Sequence, residues 1–374
     1  MKRNDCLISC AILFVALITR LWGLGNTGLV NDEPLSLQAA SQPLSHILTN
    51  TSDVHPPLYF AFLHIWMRFF GESNVSLRLL SVLFGLLAVG LTGWIGRRIG
   101  GKSLAWLSMC LVAIMPMPLV YSQVARGYTM FLVFSLASFG YLMAWEESKQ
   151  FRWAAGYAVS TVAMCYTHHY GVFNIIAQQL YMVCRVRRHR VSLRNWFVLS
   201  AVVWLVLIPW LNICATQSSR LQKGYWIARP DIWTILTTFR MYVTVQLERE
   251  FMWWFVALAG LGLLEIQQRR GTWSSRNWLR SLRSYHWEVR LPCRASDGLL
   301  LLWLSCPIVI PFVWSQISTP IFLYRYTIAA APAFYLLIGR GILGIPNGGI
   351  RFIILLIIAL ISIASLTAYY ASSI

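Results

Sequence analysis

Two adjacent acids, Asp32 and Glu33, follow closely on the first hydrophobic segment, and a polar run later comes Asp53-Val54-His55-Pro56-Pro57-Leu58-Tyr59. A carboxylate at the edge of a membrane is partly desolvated, which raises its proton affinity and makes it a usable general base for a hydroxyl nucleophile. Two acids side by side can equally hold a divalent cation, and acids ahead of Pro34-Leu35 can simply favour a helix start. Asp53 has the same two readings, chemistry or the launch of the helix that Pro56-Pro57 prepares. His55 titrates near neutrality and is suited to donate to a phosphate or a sugar hydroxyl.

Three later stretches carry further candidates. In Ser122-Gln123-Val124-Ala125-Arg126-Gly127-Tyr128, the planar fork of Arg126 matches a phosphate, or it snorkels to lipid headgroups. His168-His169-Tyr170 interrupts a long apolar stretch. Adjacent residues do not share a helix face, so one histidine of the pair is expected in any site, and a metal pair is disfavoured. Arg325 stands between Tyr324 and Tyr326, as in an aromatic belt or a phosphate clamp. Arg20 sits near the end of the first hydrophobic segment, where an unsnorkelled, unpaired charge costs a few kcal/mol.

The elements that must position these residues are membrane helices. The 374-residue chain is 57% hydrophobic and only 12% charged, against about 25% charged in soluble proteins. Spans are expected at about 6–24, 75–95, 103–120, 128–145, two within 153–184 divided at His168-His169, 196–214, 251–264, 299–314, 327–342 and 352–369. That makes an all-α polytopic membrane protein of about eleven helices, one membrane domain over 1–374. Its first outside loop is about 25–74, with an interfacial helix over 57–70 too short to cross. Its second is about 215–250 and holds Gly224-Tyr225-Trp226. Met1-Lys2-Arg3 before an apolar run resembles a signal peptide, but no small-residue cleavage site follows, so a retained first helix is expected.

Charge orients the bundle. The net charge is +18, and with the N-terminus cytoplasmic about 21 of the 31 Lys and Arg fall in inside loops. Those loops would face anionic lipid, which accounts for the basicity without nucleic acid. Asp32, Glu33, Asp53, Glu72, Asp231, Glu248 and Glu250 fall outside, with Arg126, His168, His169 and Arg325. One face therefore collects nearly every candidate group. The eight cysteines form no CxxC pair and imply neither a disulfide framework nor a zinc site.

No P-loop, dinucleotide fingerprint, Ser-His-Asp order or HExxH helix is present. An enzyme acting on the outer face must receive its energy in the substrate, and a sugar on a polyprenyl phosphate meets that need without a nucleotide. The chain resembles the GT-C membrane glycosyltransferases, in the bacterial branch related to protein O-mannosyltransferases and the aminoarabinose transferase of lipid A. The resemblance rests on Asn31-Asp32-Glu33, on His55 to Tyr59, on Gly71-Glu72-Ser73 leading to Ser76-Leu77-Arg78-Leu79, and on the Ser122 to Tyr128 turn. Tyr166 to Gly171 and Arg325-Tyr326 fit it too.

The resemblance implies a polyprenyl-phosphate sugar donor and a site on the non-cytoplasmic face of a bacterial inner membrane. It implies inversion at the anomeric carbon with a first-loop acid as base. Asp32 is then the base and Glu33 its catalytic neighbour, while Asp53, His55, Arg126, Tyr128, His168, His169, Arg325 and Tyr326 bind substrate. No cofactor is implied; the acids permit a divalent metal without requiring one. The acceptor is a lipid, a glycan or a protein. Val124 stands where the family usually has Glu, removing one acid, and without a sizeable C-terminal periplasmic domain a large protein acceptor is less expected. A lipid-linked sugar transporter is the principal rival, but it would place acids within the spans, where this chain has almost none. A noncatalytic scaffold and a polymer ligase of another membrane fold fit the intact, early acid pair less well.

Overall fold

The structure, a computed structural model, describes residues 3–49, 55–187, 192–221, 227–245, 247–248, 250–269, 286–292 and 294–372. The expected Asp53 and Gly224-Tyr225-Trp226 lie outside them. The helices are α1 (Arg3–Leu21), α2 (Glu33–Ala40), α3 (Leu44–Thr49), α4 (Leu58–Phe70), α5 (Asn74–Ile114), α6 (Pro116–Val120), α7 (Tyr128–Ser148), α8 (Phe151–Thr167), α9 (Gly171–Arg187), α10 (Leu193–Leu221), α11 (Ile232–Val243) and α12 (Glu250–Leu261). After strands β1 (Glu265–Arg269) and β2 (His286–Arg290) come α13 (Ala295–Ile317), a 3₁₀ segment (Tyr324–Ala330), α14 (Ala331–Gly344) and α15 (Gly348–Ser372).

Seven described helices are long and apolar enough to cross a membrane, rather than the eleven expected. Part of the difference lies in α5, whose 41 residues contain two expected spans. Gly100 and Gly101 break its helical geometry, Gly101 with a φ of 75°, a left-handed setting that glycine adopts without strain. The halves fold back on each other: a methyl at Gly93 would meet Met109, and one at Gly96 would meet Ser108. The rest of the difference is length. At 17, 17 and 12 residues, α8, α9 and α12 fall short of the ~20 that a straight span needs. The all-α expectation also gives way locally, since β1 and β2 form an antiparallel pair within the basic loop before α13.

Burial separates centre from periphery. The most apolar stretches of α7 and of the 324–344 segment are 83% and 89% buried, against 17%, 22% and 28% for α1, α10 and α15. The latter three therefore offer their apolar surface to lipid. Ion pairs tie the helices together at the end away from Asp32. Asp5 of α1 meets Lys102 at 2.5 Å and Asp297 of α13 meets Arg340 of α14 at 2.6 Å, while Glu146 pairs with Arg185 and Glu147 with Arg98.

At the opposite end the short elements gather. The interfacial helix expected over 57–70 is α4, and it packs with α2 and α3 over α5, burying Tyr59, Phe60, Leu63 and Met67. Ser73 starts α5 by accepting the N–H of Ser76 at 3.2 Å, an N-cap that satisfies one otherwise orphaned donor. The 3₁₀ segment that carries Arg325 is fastened from several sides. Tyr242 donates to Thr327 Oγ1 at 2.7 Å, Trp303 donates to the carbonyl of Ala329 at 2.7 Å, and Tyr170 donates to the carbonyl of Ile321 at 2.8 Å.

Candidate active site at the Asp32 end of the bundle

The segment 24–33 has no regular structure of its own until α2 begins, and Arg78 of α5 holds it in place. The Nε of Arg78 donates to Glu33 Oε1 at 2.9 Å and its Nη2 donates to Oε2 at 2.7 Å. Its remaining N–H groups reach the carbonyls of Leu24, Thr27 and Gly28. Glu33 also accepts the backbone N–H of Ala125 at 2.8 Å and of Val30 at 2.9 Å. A two-pronged Arg–carboxylate pair is strong and geometrically demanding. Glu33 is wholly buried, and both of its oxygens are taken up by Arg78 and backbone N–H groups.

Asp32 is placed differently. It occupies the N-cap position of α2, yet its side chain makes no capping hydrogen bond, which removes the reading of Asp32 as a helix cap. Its side chain is 39% exposed, and its Oδ2 lies 3.5 Å from Nη2 of Arg325. Arg126 approaches the same residue from the other side. Its Nη1 donates to the Asp32 carbonyl at 3.4 Å and to Ser36 Oγ at 3.1 Å, and its guanidinium lies over Phe60.

The expected histidines resolve into distinct roles. His168 is buried at the end of α8, with its ring stacked on Phe131 at 4.9 Å and set edge-on to Tyr326 at 4.8 Å. Its Nδ1 accepts the backbone N–H of Tyr170 at 3.2 Å, which places the proton of the neutral ring on Nε2. That Nε2–H has no protein partner among the described residues. Burial, then the neighbouring His55, His169, Arg126 and Arg325, hold the His168 pKa well below the usual histidine range. His55 lies 5.0 Å from His168, ring centre to ring centre, and is likewise held low, by burial first and then by Arg126, His169 and Arg325. His169 turns away, stacked on Trp210 at 5.8 Å with its Nδ1 3.4 Å from Cys214 Sγ. As expected of adjacent residues, only one of the pair lines the cleft.

His55, Tyr59, Phe60, Arg126, Tyr128 and His168 are among the nine residues that line a narrow cleft of about 10 Å³. Tyr128 is buried, its ring 6.3 Å from that of Tyr326, and the Arg325 guanidinium lies over the Tyr326 ring at 5.6 Å. Two arginines, two neutral imidazoles and one carboxylate thus meet, brought from the head of α2, the start of α4, the 121–128 turn, the α8–α9 turn and the 324–330 segment. The balance is positive: the site can hold an anion and offers one carboxylate to take a proton. The described residues contain no group of three or more acids, histidines and cysteines suited to a metal.

The residue reading missed Arg78 and Ser36 as site-builders. Arg78 was visible only as part of a motif, although an arginine early in an apolar helix is itself a signal, since a charge there must find partners. Arg20 does not snorkel but finds buried partners. Fully buried, it donates to the carbonyls of Val112 at 3.0 Å and Ala113 at 2.9 Å and to Ser122 Oγ at 3.1 Å. The close approach needs a glycine on α5, because a methyl at Gly85 would lie 2.2 Å from Ser122 Oγ.

Comparison with known proteins bears on the fold. Residues 54–213 match the family described as dolichyl-phosphate-mannose-protein mannosyltransferase. The chain is similar to ArnT from Cupriavidus metallidurans in the apo state, at 15% identity and a TM-score of 0.62, over 94% of this chain and 63% of that one. It is similar to the oligosaccharyltransferase of Archaeoglobus fulgidus in the apo form, at 12% identity and a TM-score of 0.62, over 100% of this chain and 56% of that one. The chain therefore spans less than two thirds of the length of these relatives. No curated protein sequence matches. The fold is the GT-C membrane fold, and the resemblance to O-mannosyltransferases and ArnT is borne out.

Proposed function

We propose that the protein is an inverting glycosyltransferase that moves a sugar from a polyprenyl-phosphate donor to an acceptor hydroxyl. The observation that carries this reading is the setting of Asp32: an uncapped, partly exposed carboxylate beside two arginines, on a segment locked by Glu33 and Arg78. The relatives support the donor class. A second structure of Cupriavidus metallidurans ArnT, at 15% identity and a TM-score of 0.60, is bound to undecaprenyl phosphate. Archaeal AglB, at 14% identity and a TM-score of 0.57, is in complex with an inhibitory peptide and a dolichol-phosphate.

In this mechanism Asp32 takes the proton of the acceptor hydroxyl. The acceptor hydroxyl oxygen attacks the anomeric carbon from the face opposite the phosphate, the bond from that carbon to the phosphate oxygen breaks, and the electron pair leaves with the lipid phosphate. Arg126 and Arg325 stabilise the charge gathering on the leaving group, a preorganised term worth about 10²–10³ in rate per donor in comparable sites. His168, fixed as the Nε2–H tautomer, adds a neutral donor. His55, Tyr128 and Tyr326 shape the cleft, and Asp53 belongs to the same outside loop. The site faces the periplasm of a bacterial inner membrane, with the N-terminus in the cytoplasm. The excess of basic residues in the opposite loops supports that orientation.

The test is transfer from a panel of radiolabelled polyprenyl-phosphate sugars in membranes, native chain against Asp32→Asn. Consumption of one donor by the native chain alone supports the reading and identifies the sugar. If neither chain consumes a donor while labelled lipid crosses between leaflets, the protein is a transporter instead.

A further inference from the structure

Arg126 is held at both ends by buried serines. At the guanidinium, Nη1 donates to Ser36 Oγ of α2 at 3.1 Å and to the Asp32 carbonyl at 3.4 Å. At the backbone, Ser81 Oγ of α5 donates to the Arg126 carbonyl at 3.3 Å and lies 3.4 Å from the Tyr59 hydroxyl. Both serines are wholly buried, and Arg126 is buried with them.

The helical repeat explains why two oxygens meet one nitrogen. Asp32 stands at the N-cap of α2, and its carbonyl accepts the N–H of Ser36, four residues on, at 3.3 Å. Side chains on a helix lean toward its N-terminus, so one turn brings the Ser36 hydroxyl back toward the Asp32 carbonyl. A terminal guanidinium nitrogen carries two hydrogens, and the two oxygens give one acceptor to each. Phe60 lies against the guanidinium, its ring centre 5.9 Å from the central carbon. Hydroxyl, carbonyl and ring are neutral, so these three contacts aim the guanidinium without cancelling its charge. Arg78 shows the contrast, its guanidinium locked to the Glu33 carboxylate.

We propose that Ser36 is a positioning residue that registers the phosphate-binding Arg126 against the residue carrying the base. The proposal rests on the transferase reading above and deepens it. Asp32 gives its carbonyl to Arg126 and its carboxylate to the reaction, so clamp and base take their positions from one residue. In-line displacement is sensitive to such placement: about 1 Å of error costs about a hundredfold in rate. An unheld arginine side chain samples many rotamers, and the Ser36 hydroxyl removes that freedom before the donor arrives. Ser36 is not among the residues that line the cleft, so it acts through Arg126 rather than on the donor.

The experiment is a double-mutant cycle on the full chain in lipid nanodiscs. It is read by binding of undecaprenyl phosphate and by transfer from whichever donor the native chain consumes. Ser36→Ala removes one oxygen and keeps a good helix former in α2. It is expected to weaken lipid-phosphate binding about tenfold and to slow transfer by about 10–100-fold. In an Arg126→Met background, Ser36→Ala should cost no further binding. Ser138→Ala is the packing control. It removes an equally buried hydroxyl bonded to Thr161 and Gln178, and lipid binding should stay unchanged. Native binding in Ser36→Ala overturns the proposal, as does an equal loss with and without Arg126. If a donor is consumed and Ser36→Ala transfers as the native chain does, only the Ser36 assignment falls. If no donor is consumed while the binding cycle holds, the transferase reading falls, and Ser36 still positions an anion-binding arginine.

Discussion

Glu33 and Arg78 form a two-pronged ion pair at 2.9 and 2.7 Å, 45 residues apart in the chain and wholly buried on the Glu33 side. The pair joins the first loop to the longest helix, and through the Ala125 N–H it joins both to the turn that carries Arg126. Removing one partner of such a buried pair strands the other and costs about 3–5 kcal/mol. Glu33→Gln and Arg78→Met are therefore expected to lower the unfolding temperature and the yield of folded protein. Asp32→Asn, at a partly exposed side chain whose nearest counter-charge is 3.5 Å away, should leave both nearly unchanged. Thermal unfolding of the purified variants in detergent measures the contrast. Equal destabilisation by Asp32→Asn and Glu33→Gln would count against the division of labour between the two acids.

Arg325 reaches the site from a 3₁₀ segment near the far end of the chain, and Arg126 from the turn before α7. If both clamp the leaving phosphate, Arg325→Ala should slow transfer by about 10²–10³ and weaken binding of undecaprenyl phosphate. Lys restores charge but not the planar fork, so Arg325→Lys should recover only part of the rate. Steady-state transfer and lipid-phosphate binding on the same preparations separate the two effects. Unaltered lipid binding in Arg325→Ala would remove this residue from the clamp.

Much of this site was legible in the chain before it was folded. The acid pair, the arginine turn, the histidine break and Arg325 stand at the ends of apolar segments, and the alternation of basic loops brings those ends to one side. The interfacial run over 57–70 was equally plain, because it is too short to cross. What the pattern did not carry was partnership. Asp32 and Glu33 look alike as neighbours, yet one is sealed by Arg78 and the other left open, a difference set by a residue 45 positions away. The span count differs for a related reason: hydropathy marks apolar stretches, but the turn at Gly100-Gly101 and the shortness of α8, α9 and α12 belong to packing.

The histidines supply a pH signature. His168 and His55 are held neutral by burial and by the nearby arginines, with pKa values well below the ordinary range. In the unfolded chain each takes up a proton as the pH falls through about 6.5, while in the folded chain each does not. Their contribution to stability is therefore full above about pH 6.5 and is lost as the pH falls below it, by up to about 1.4 kcal/mol per pH unit for each histidine. Unfolding temperature measured from about pH 8 to about pH 5 should fall, and His168→Gln should flatten part of that fall. An identical slope in the variant would mean that His168 titrates normally in the folded protein.

Arg20 offers a last test, because its burial follows from the covalent structure of its neighbours. Pro116 has no N–H to give the carbonyl of Val112 four residues before it, and the chain leaves helical geometry at Met115. Two carbonyls deep in the bundle lose their helical donors, and Arg20 supplies both. Arg20→Met keeps much of the volume but strands these acceptors, each at about 1–3 kcal/mol. The variant should unfold at a lower temperature, read by a thiol-reactive dye that reports exposure of the buried Cys165 and Cys306. Its folded fraction should still bind undecaprenyl phosphate as the native chain does, since Arg20 does not line the Arg126 cleft. A folded Arg20→Met protein that no longer binds the lipid phosphate would instead bring Arg20 into the donor site.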